Sequence, residues 1–336
     1  MQIMVLFFDL KYVDIFTMFV ICGEALIDMF IESNEQTNSY QFPVNACVGG
    51  SPFNVAIGLA RLGKPVSLLT GLSTDLFGER LKEVLISEGV SQQFIAEKQH
   101  PTTVAFIEKD NHGVPSYLFL GNGAADRALT LEDVDLSTEI PKCIHLGSYT
   151  IVTQPTADSL LALARQYSGK CLISLDPNIR SIVEPNMKLW QERVEELIPL
   201  ADILKVSDED LGLLYPNTNP EEVIKTWLAT GLRLAVLTKG SDGSILYSAH
   251  SQVLIETPKV LVEDTVGAGD TYQAAILDCV GSLIDEFGLN QWHEQLSKDA
   301  LYKIGEYAAA AAAITCSRQG ADLPSKTEVL DFMTKN

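Results

Sequence analysis

Six short apolar runs recur along the chain, and each is followed by a helix-forming stretch. The runs are FVICG, VSLLTG, CIHLG, CLISLD, DILKVS and LAVLT. A short apolar run bounded by turn residues is typical of a strand buried on both faces, and its alternation with amphipathic helices indicates parallel strands. We therefore predict an α/β fold in which a mostly parallel central sheet carries helices on both faces.

The domain organisation follows from length and composition. The chain has 336 residues, 46% of them apolar, and no obvious linker, so we expect a single domain over residues 18–330. Residues 1–17 are apolar, but Asp9 and Lys11 interrupt them and no cleavage site follows. We interpret them as an N-terminal extension and expect a cytoplasmic protein without membrane contact.

Two regions break the alternation of strand and helix. Residues 29–48 and 102–121 contain alternating apolar and polar positions together with turn residues. This pattern predicts short antiparallel strands that form a small sheet, or lid, over the main domain.

Charge and cysteine usage exclude several classes of function. The formal net charge of −20 argues against nucleic-acid binding, which depends on Lys and Arg at phosphates. The six cysteines form no C-x-x-C pair and the five histidines are dispersed, so neither a zinc site nor a Cys/His nucleophile is indicated. We interpret the cysteines as reduced core thiols.

The segment EDTVGAGDTYQAAILDCV, residues 263–280, carries the sharpest chemical signal. Gly267 and Gly269 permit a tight turn with bare backbone amides, and the apolar spacing predicts a helix that begins at Thr271. Such a helix start binds anions, and a carboxylate at Asp270 is suited to accept the proton of a hydroxyl that attacks a phosphoryl group. A glycine turn capped by an aspartate would look the same in isolation.

The glycine segment has companions that make its pattern specific. GGSPFNVAIGLARLG at 49–63, GAAD at 123–126, DPNIR at 176–180 and TKGSDGS at 238–244 accompany it in order. Together they resemble the signatures of the ribokinase-like (PfkB) sugar kinases over residues 19–323. The resemblance implies a three-layer α/β sandwich with a β-sheet lid, ATP and Mg²⁺ as cofactors, and a small sugar as substrate. It matches Asp270 to the catalytic base and Gly267, Ala268 and Gly269 to the anion hole.

The same resemblance assigns a sugar site. It matches Asp28, Gly49, Gly50 and Asn54 to the positions that bind sugar hydroxyls, although a strand-end carboxylate and a helix-capping amide would explain Asp28 and Asn54 in isolation. The segment DPNIR follows an apolar strand, so its polar groups lie at the ligand-binding edge of an open α/β sheet. We expect the two polar residues Asn178 and Arg180 to bind substrate or phosphate oxygens there.

Nucleotide and metal positions rest on the resemblance alone. The positions matched to nucleotide binding are Lys205, Thr238, Gly240, Gly243, Ala312 and Gly320. A plain hairpin and a packed terminal helix would explain most of them equally well. Where many family members carry Lys-x-Asn-x-x-Glu, this chain reads KVSDED, so Glu209 and Asp210 are weaker matches to the magnesium carboxylates. Asp264 is matched to a monovalent-cation site, with K⁺ as the implied ion.

Within the family, the fructokinases are most similar in GEALIDMF, DPNIR and LKVSDEDL. Residues 119–122 read FLGN and lack the arginine with which kinases of acid sugars bind the substrate carboxylate. We therefore expect D-fructose as the substrate and a homodimer as the assembly. The alternatives are a kinase of 2-keto-3-deoxygluconate, ribose or a nucleoside, and a catalytically silent sugar-binding regulator.

Overall fold

The computed structural model describes residues 17–31, 43–109, 115–136 and 140–335, and the proposed N-terminal extension lies almost entirely outside them. The strands are β1 (Phe19–Cys22), β2 (Leu26–Ile31), β3 (Val44–Gly49), β4 (Val66–Ser73), β5 (Ile95–Lys98), β6 (Val104–Lys109), β7 (Pro115–Leu120), β8 (Cys143–Gly147), β9 (Leu172–Asp176), β10 (Ile203–Ser207), β11 (Leu234–Thr238), β12 (Ser244–Tyr247) and β13 (Gln252–Ile255). The α-helices are α1 (Ser51–Arg61), α2 (Leu76–Ser87), α3 (Thr156–Tyr167), α4 (Met187–Leu197), α5 (Asp208–Leu214), α6 (Pro220–Leu228), α7 (Ala268–Phe287), α8 (Lys298–Cys316) and α9 (Lys326–Lys335).

Nine of these strands form the main sheet, in the order β13-β12-β11-β10-β9-β8-β1-β4-β5. The seven strands from β11 to β5 are parallel, and β12 and β13 extend the sheet in antiparallel fashion. All six predicted apolar runs are among the parallel strands. The prediction of a mostly parallel central sheet is confirmed.

Successive residues of the central strands point to opposite faces of the sheet, and each face has its own core. On β1, Phe19 and Ile21 pack into a core that includes residues of α1, α7 and α8. Val20 and Cys22 pack into the other core, with residues of α3, α4 and α6. This arrangement is the predicted three-layer sandwich, because a strand that is apolar at every position needs a helix layer on both sides.

The small sheet has four strands in the order β3-β2-β6-β7. We predicted antiparallel strands, and β2 with β3 and β6 with β7 are indeed antiparallel, but β2 and β6 pair in parallel. The central pairing joins segments that are distant in the sequence, so turn residues carry no information about its direction. Cys47 is exposed on β3, so not every cysteine is a core thiol, and all six are free.

None of the helices in the described ranges combines the length and apolarity needed to cross a bilayer.

Candidate active site

The glycine turn forms the start of α7. Gly267 is the N-cap residue in the left-handed conformation (φ 78°), and α7 begins at Ala268, three residues before the predicted start at Thr271. A Cβ on Gly267 would lie 2.7 Å from the Cβ of Ala321, so the turn has no room for a larger residue. The first amides of a helix lack carbonyl partners within it, so Gly269 and Asp270 present donors at the positive end of a 20-residue helix. The Ala268 N–H instead donates to the Thr265 carbonyl oxygen at 3.3 Å.

Asp270 is buried in this first turn, with 7% of its surface exposed. Its Oδ1 accepts a hydrogen bond from the Ser51 hydroxyl at 2.6 Å, and its Oδ2 accepts one from the Asn54 side-chain amide at 2.8 Å. The Asn178 amide in turn donates to the Ser51 hydroxyl at 2.7 Å. Because both oxygens are held from α1, the carboxylate has a fixed orientation, which favours a positioned base over a mere helix cap.

The start of α1 explains how Ser51 reaches Asp270. A serine before a proline is typical of a helix N-cap, but here the N-cap is Gly50 (φ 111°), and Ser51 is the first helical residue, ahead of Pro52. A Cβ on Gly50 would lie 2.7 Å from the carbonyl oxygen of Glu24, so glycine alone fits this position. The Ser51 hydroxyl therefore does not cap the helix and is available to Asp270.

A cavity of about 710 Å³ opens between the glycine turn, the start of α1, the segment after β9 and one face of the small sheet. Alternate residues of β2, Leu26, Asp28 and Phe30, line it, as the two-residue period of a strand requires. The predicted site residues that line it are Asp28, Gly50, Asn54, Asn178, Arg180, Asp264, Gly267, Gly269 and Asp270. Gly49 lies just outside, where a Cβ would approach Asp28 Oδ2 to 2.5 Å.

The cavity is predominantly acidic. Among the described residues, Glu24, Asp28, Asp264 and Asp270 line it, against Arg180 as the single cation. Burial raises the pKa of Asp28 to about 6, an effect that nearby Arg180 opposes. Burial also raises the pKa of Glu24 to about 7, and this carboxylate accepts hydrogen bonds from the Ser51 backbone N–H (3.3 Å) and the Thr150 hydroxyl (3.5 Å).

A buried ion pair lies beneath the glycine turn. The Lys205 ammonium is 2.8 Å from Asp176 Oδ2, and both side chains are almost fully buried. The same ammonium would be 3.7 Å from a Cβ on Gly269. Desolvation raises the pKa of Asp176 to about 6, against the opposing effect of Lys205. The pair therefore places a cation directly behind the amides of the turn.

Two carboxylates of the acidic cluster at the start of α5, Asp210 and Glu209, differ in their surroundings. Asp210 is buried, its Oδ1 accepts a hydrogen bond from the Ile179 backbone N–H at 3.0 Å, and it thereby fixes the segment that carries Asn178 and Arg180. Glu209 is exposed. The described residues include no group of three or more acidic, His or Cys side chains arranged to hold a metal ion.

The family model for pfkB family carbohydrate kinases matches residues 17–328. The chain belongs to the pfkB family of carbohydrate kinases. It is therefore a phosphotransferase with an alcohol group as acceptor, and the predicted family and reaction class are confirmed.

Relatives of this carbohydrate kinase include proteins named fructokinase. A fructokinase from Rhizobium leguminosarum bv. trifolii is 35% identical over 77% of this chain and 78% of its own length. The crystal structure of fructokinase with bound ATP from Xylella fastidiosa matches with a TM-score of 0.86 at 25% identity, over 95% of this chain and 99% of that one. Fructokinase from Vibrio cholerae O395, in its fructose, ADP and calcium ion bound form, matches with a TM-score of 0.80 at 25% identity, over 95% and 99%.

Six residues of this kinase that the resemblance matched to the nucleotide do not line the cavity: Lys205, Thr238, Gly240, Gly243, Ala312 and Gly320. Thr238 ends β11 beside Ser207 of β10, at the same sheet edge as the glycine turn. The Gly320 N–H donates to Asp264 Oδ2 at 3.0 Å, which ties the loop after α8 to the segment before the turn. The Asp264 carboxylate thus has a structural role in addition to any cation it holds.

Sequence reasoning missed two residues of this site: Ser51, whose hydroxyl donates to Asp270, and Glu24, whose carboxylate accepts the Ser51 backbone N–H. Both lie inside segments that carried the resemblance, SPFN and GEALID. Each is a polar residue close to a matched site residue, and this is the signal that could have identified them. For Ser51, a hydroxyl directly before proline is also a standard helix N-cap, so the sequence favoured a capping role.

Proposed function

We propose that the protein transfers the γ-phosphoryl group of ATP to a hydroxyl of D-fructose, with Asp270 as general base. The observation that carries this proposal is the buried Asp270 carboxylate at the start of α7, held by Ser51 and Asn54 and open to the cavity. The sugar oxygen attacks the γ-phosphorus, its proton passes to Asp270, and ADP leaves.

The residues around Asp270 support the transfer in two ways. The amides of Gly269 and Asp270 face the charge that builds on the transferred group, and Gly267 and Gly269 line the cavity there without side chains. The almost fully buried Lys205 ammonium reinforces the positive potential from behind the turn. Ser51 and Asn54 hold the carboxylate in one orientation, so little reorganisation precedes proton transfer.

Magnesium fits this site only in part. Mg²⁺ is commonly held by substrate phosphates, water and one or two carboxylates, so an all-protein cage is not required. The exposed Glu209 is available for such a contact, and Asp210 is already engaged with Ile179. When bound, the ion neutralises charge on the β and γ oxygens of the nucleotide.

The charge of the cavity supports a neutral sugar. A sugar acid would bring a carboxylate into a cavity that already holds Glu24, Asp28 and Asp270, and this repulsion opposes the attraction of Arg180. A polyol instead offers hydroxyl donors to the carboxylates and acceptors to Asn178 and Arg180. The named fructokinase relatives make D-fructose the best candidate among neutral sugars.

The nucleotide is proposed to lie against Thr238, Gly240, Gly243, Ala312 and Gly320, beside the same sheet edge. A monovalent cation at Asp264 would act through the loop that this carboxylate ties to Gly320. Activity in potassium exceeding activity in sodium at equal ionic strength would support the cation, and equal rates would oppose it.

A second copy of the chain is the proposed partner of the small sheet. Its edge strands β3 and β7 expose apolar side chains, with Val44 at 40%, Leu118 at 57% and Leu120 at 53% of their surface. Exposed strand edges with apolar side chains favour pairing with another chain. Light scattering should give the mass of a dimer, and Leu118→Glu with Leu120→Glu should give that of a monomer.

A substrate panel tests the function itself. ADP release is measured with D-fructose, 2-keto-3-deoxygluconate, D-ribose and a nucleoside at equal concentrations. We expect the highest kcat/KM for D-fructose, with the sugar acid at least tenfold lower because of the charge repulsion. A preference for the sugar acid would refute the substrate assignment, and background ADP release with every sugar would refute the kinase mechanism.

A further inference from the structure

The guanidinium of Arg127 connects the small sheet to the main sheet. Its central carbon lies 5.1 Å from the ring centre of Phe119, on β7 of the small sheet, and 5.0 Å from that of Tyr149, which follows β8 of the main sheet. The two rings also contact each other edge-on, with centres 5.4 Å apart and planes at 81°. Because a cation within about 6 Å of a ring face is attracted to it, the three side chains form one cluster.

Gly121 leaves room for the guanidinium. A Cβ at this position would lie 2.5 Å from Arg127 Nη2 and 2.8 Å from Phe119 Cε1, which is too close for any side chain. The φ angle of Gly121 is outside the left-handed region, so space and not backbone conformation requires the glycine. The Arg127 Nε and Nη2 atoms are buried without a hydrogen-bond partner among the described residues. Unpaired buried donors destabilise a fold, so stacking on the two rings is what holds this guanidinium.

The neighbouring Asp126 fixes the second ring from its hydroxyl end. This carboxylate is buried, its Oδ2 accepts the Tyr149 O–H at 2.7 Å, and its Oδ1 accepts the Thr103 hydroxyl at 2.5 Å. Burial raises the pKa of Asp126, and the two hydrogen bonds and the charge of Arg127 oppose that rise. The Thr156 hydroxyl donates to the Asp126 carbonyl oxygen at 3.0 Å, which ties this segment to α3. Tyr149 is therefore held both at its hydroxyl and at its ring face.

Both rings line the cavity that contains Asp270, whereas Arg127 does not. Arg127 lines a separate cleft and reaches the cavity only through Phe119 and Tyr149. Aromatic side chains supply much of the surface against which a small ligand packs. Under the proposed function, the C–H groups of the sugar pack against these two rings, so the orientation of the rings affects how tightly the sugar binds.

We propose that Arg127 is a positioning residue for sugar binding, which holds Phe119 and Tyr149 together as one aromatic wall of the cavity. Gly121 belongs to the same device, because any larger residue would displace the guanidinium. Since this role rests on the proposed sugar kinase function and Arg127 does not line the cavity with Asp270, its loss should weaken the fit of the sugar without changing the chemical step.

Steady-state kinetics with varied D-fructose at saturating ATP tests this role. Arg127→Met removes the charge and the planar group, so KM for D-fructose should rise about five- to tenfold, with kcat within about twofold and KM for ATP unchanged. Arg127→Lys keeps the cation beside Asp126 but loses the planar stacking, and we expect an intermediate KM. The matched control is Arg80→Met, at an exposed arginine on α2, which should behave like the wild type.

Gly121→Ala approaches the same contact from the opposite side. Its methyl group should displace the guanidinium and raise KM for D-fructose to a similar extent. The double variant Gly121→Ala with Arg127→Met should have a KM no higher than the worse single variant, because both changes remove one shared contact. Gly212→Ala is the control, since a Cβ there meets no atom within 4 Å, and it should keep the wild-type KM.

Two results would overturn the positioning role. One is a wild-type KM in both Arg127→Met and Gly121→Ala. The other is a fall in kcat with unchanged KM, which is expected if Arg127 only stabilises the fold and its loss reduces the fraction of active enzyme. If urea unfolding shows that Arg127→Met does not fold, Arg127→Lys and Gly121→Ala decide the outcome.

The wild-type enzyme tests the proposed function separately. If it releases no ADP with D-fructose, that substrate assignment fails, and the sugar with the highest kcat/KM in the substrate panel replaces D-fructose in the test of Arg127. Background ADP release with every sugar would overturn both the kinase mechanism and the role of the aromatic wall.

Discussion

The edge of the main sheet and the face of the small sheet enclose the same cavity, yet they are built differently. At the main-sheet edge, Asp176, Lys205 and Asp270 are buried, and each has a defined partner. On the small sheet, Asp28 is only partly buried and Tyr117 is 53% exposed. Under the proposed function, this difference corresponds to two roles: the main sheet holds the reacting groups in fixed positions, and the small sheet supplies contacts to the sugar.

Breaking the ion pair beneath the turn should have the largest effect. Lys205→Met leaves Asp176 buried without its cation, which should lower the free energy of unfolding by about 3–5 kcal/mol. We also expect kcat to fall at least about tenfold, because the positive potential behind the turn is lost. Urea unfolding and steady-state kinetics measure the two effects.

The double variant Lys205→Met with Asp176→Asn separates these effects. Removing both charges should restore most of the stability, while kcat remains low. Wild-type stability in the single variant would show that the pair does not anchor this edge, and full activity in the double variant would show that its charge does not serve the reaction.

Glu24 lines the cavity between the main-sheet edge and the small sheet. Its protonation should make the free energy of unfolding depend on pH. Its pKa is raised from 4.5 to about 7, so the folded state binds its proton more tightly than the unfolded state does. The resulting stability is fully present below about pH 4.5 and is lost as the pH rises through 7. Glu24→Gln should therefore flatten the decline in unfolding free energy between pH 5 and pH 8, by up to about 3 kcal/mol.

Urea unfolding at both pH values measures this change. The exposed Glu222→Gln on α6 is the control and should leave the wild-type slope in place. An unchanged slope in Glu24→Gln would contradict the assignment of the proton to Glu24.

Asp28 tests the role of the small sheet. Asp28→Asn should raise KM for the sugar about tenfold or more, the equivalent of a lost charged hydrogen bond of about 1.5–3 kcal/mol, with little change in kcat. The exposed Asn45→Ala on β3 is the control. A fall in kcat with unchanged KM would show that Asp28 takes part in phosphoryl transfer. That result would contradict the separate roles of the main sheet and the small sheet.

Ser51 tests the main-sheet side of the comparison, and its substitution should change activity the least. Ser51→Ala removes one of the two hydrogen bonds that orient Asp270. We expect kcat to fall about fivefold, equivalent to about 1 kcal/mol, because the Asn54 amide still orients the carboxylate, with KM for the sugar nearly unchanged. A larger change in KM than in kcat would place Ser51 among the sugar-binding residues instead.

The sequence predicted those features of the fold that depend on the local pattern of residues. All six apolar runs became central strands, because a strand covered on both faces must be apolar throughout. The glycine segment before Asp270 predicted a turn and a helix start, although the helix begins at Ala268 rather than Thr271, since Gly267 already supplies the left-handed residue.

What escaped prediction depends on contacts between distant segments. The hydrogen bond from Ser51 to Asp270 spans 219 positions, and the parallel pairing of β2 with β6 joins two separate excursions from the main sheet. The FLGN segment lacks an arginine, yet Arg127 reaches Phe119 from the following turn. Local composition does not specify any of these approaches.

The central claim is that Asp270 acts as the base in phosphoryl transfer, and Asp270→Asn tests it most directly. Asparagine preserves the shape of the side chain but does not accept the sugar proton. Single-turnover transfer from ATP to D-fructose should fall about 10²–10⁴-fold, while ATP affinity changes less than about threefold. Transfer at the wild-type rate in a variant that binds ATP normally would contradict the account.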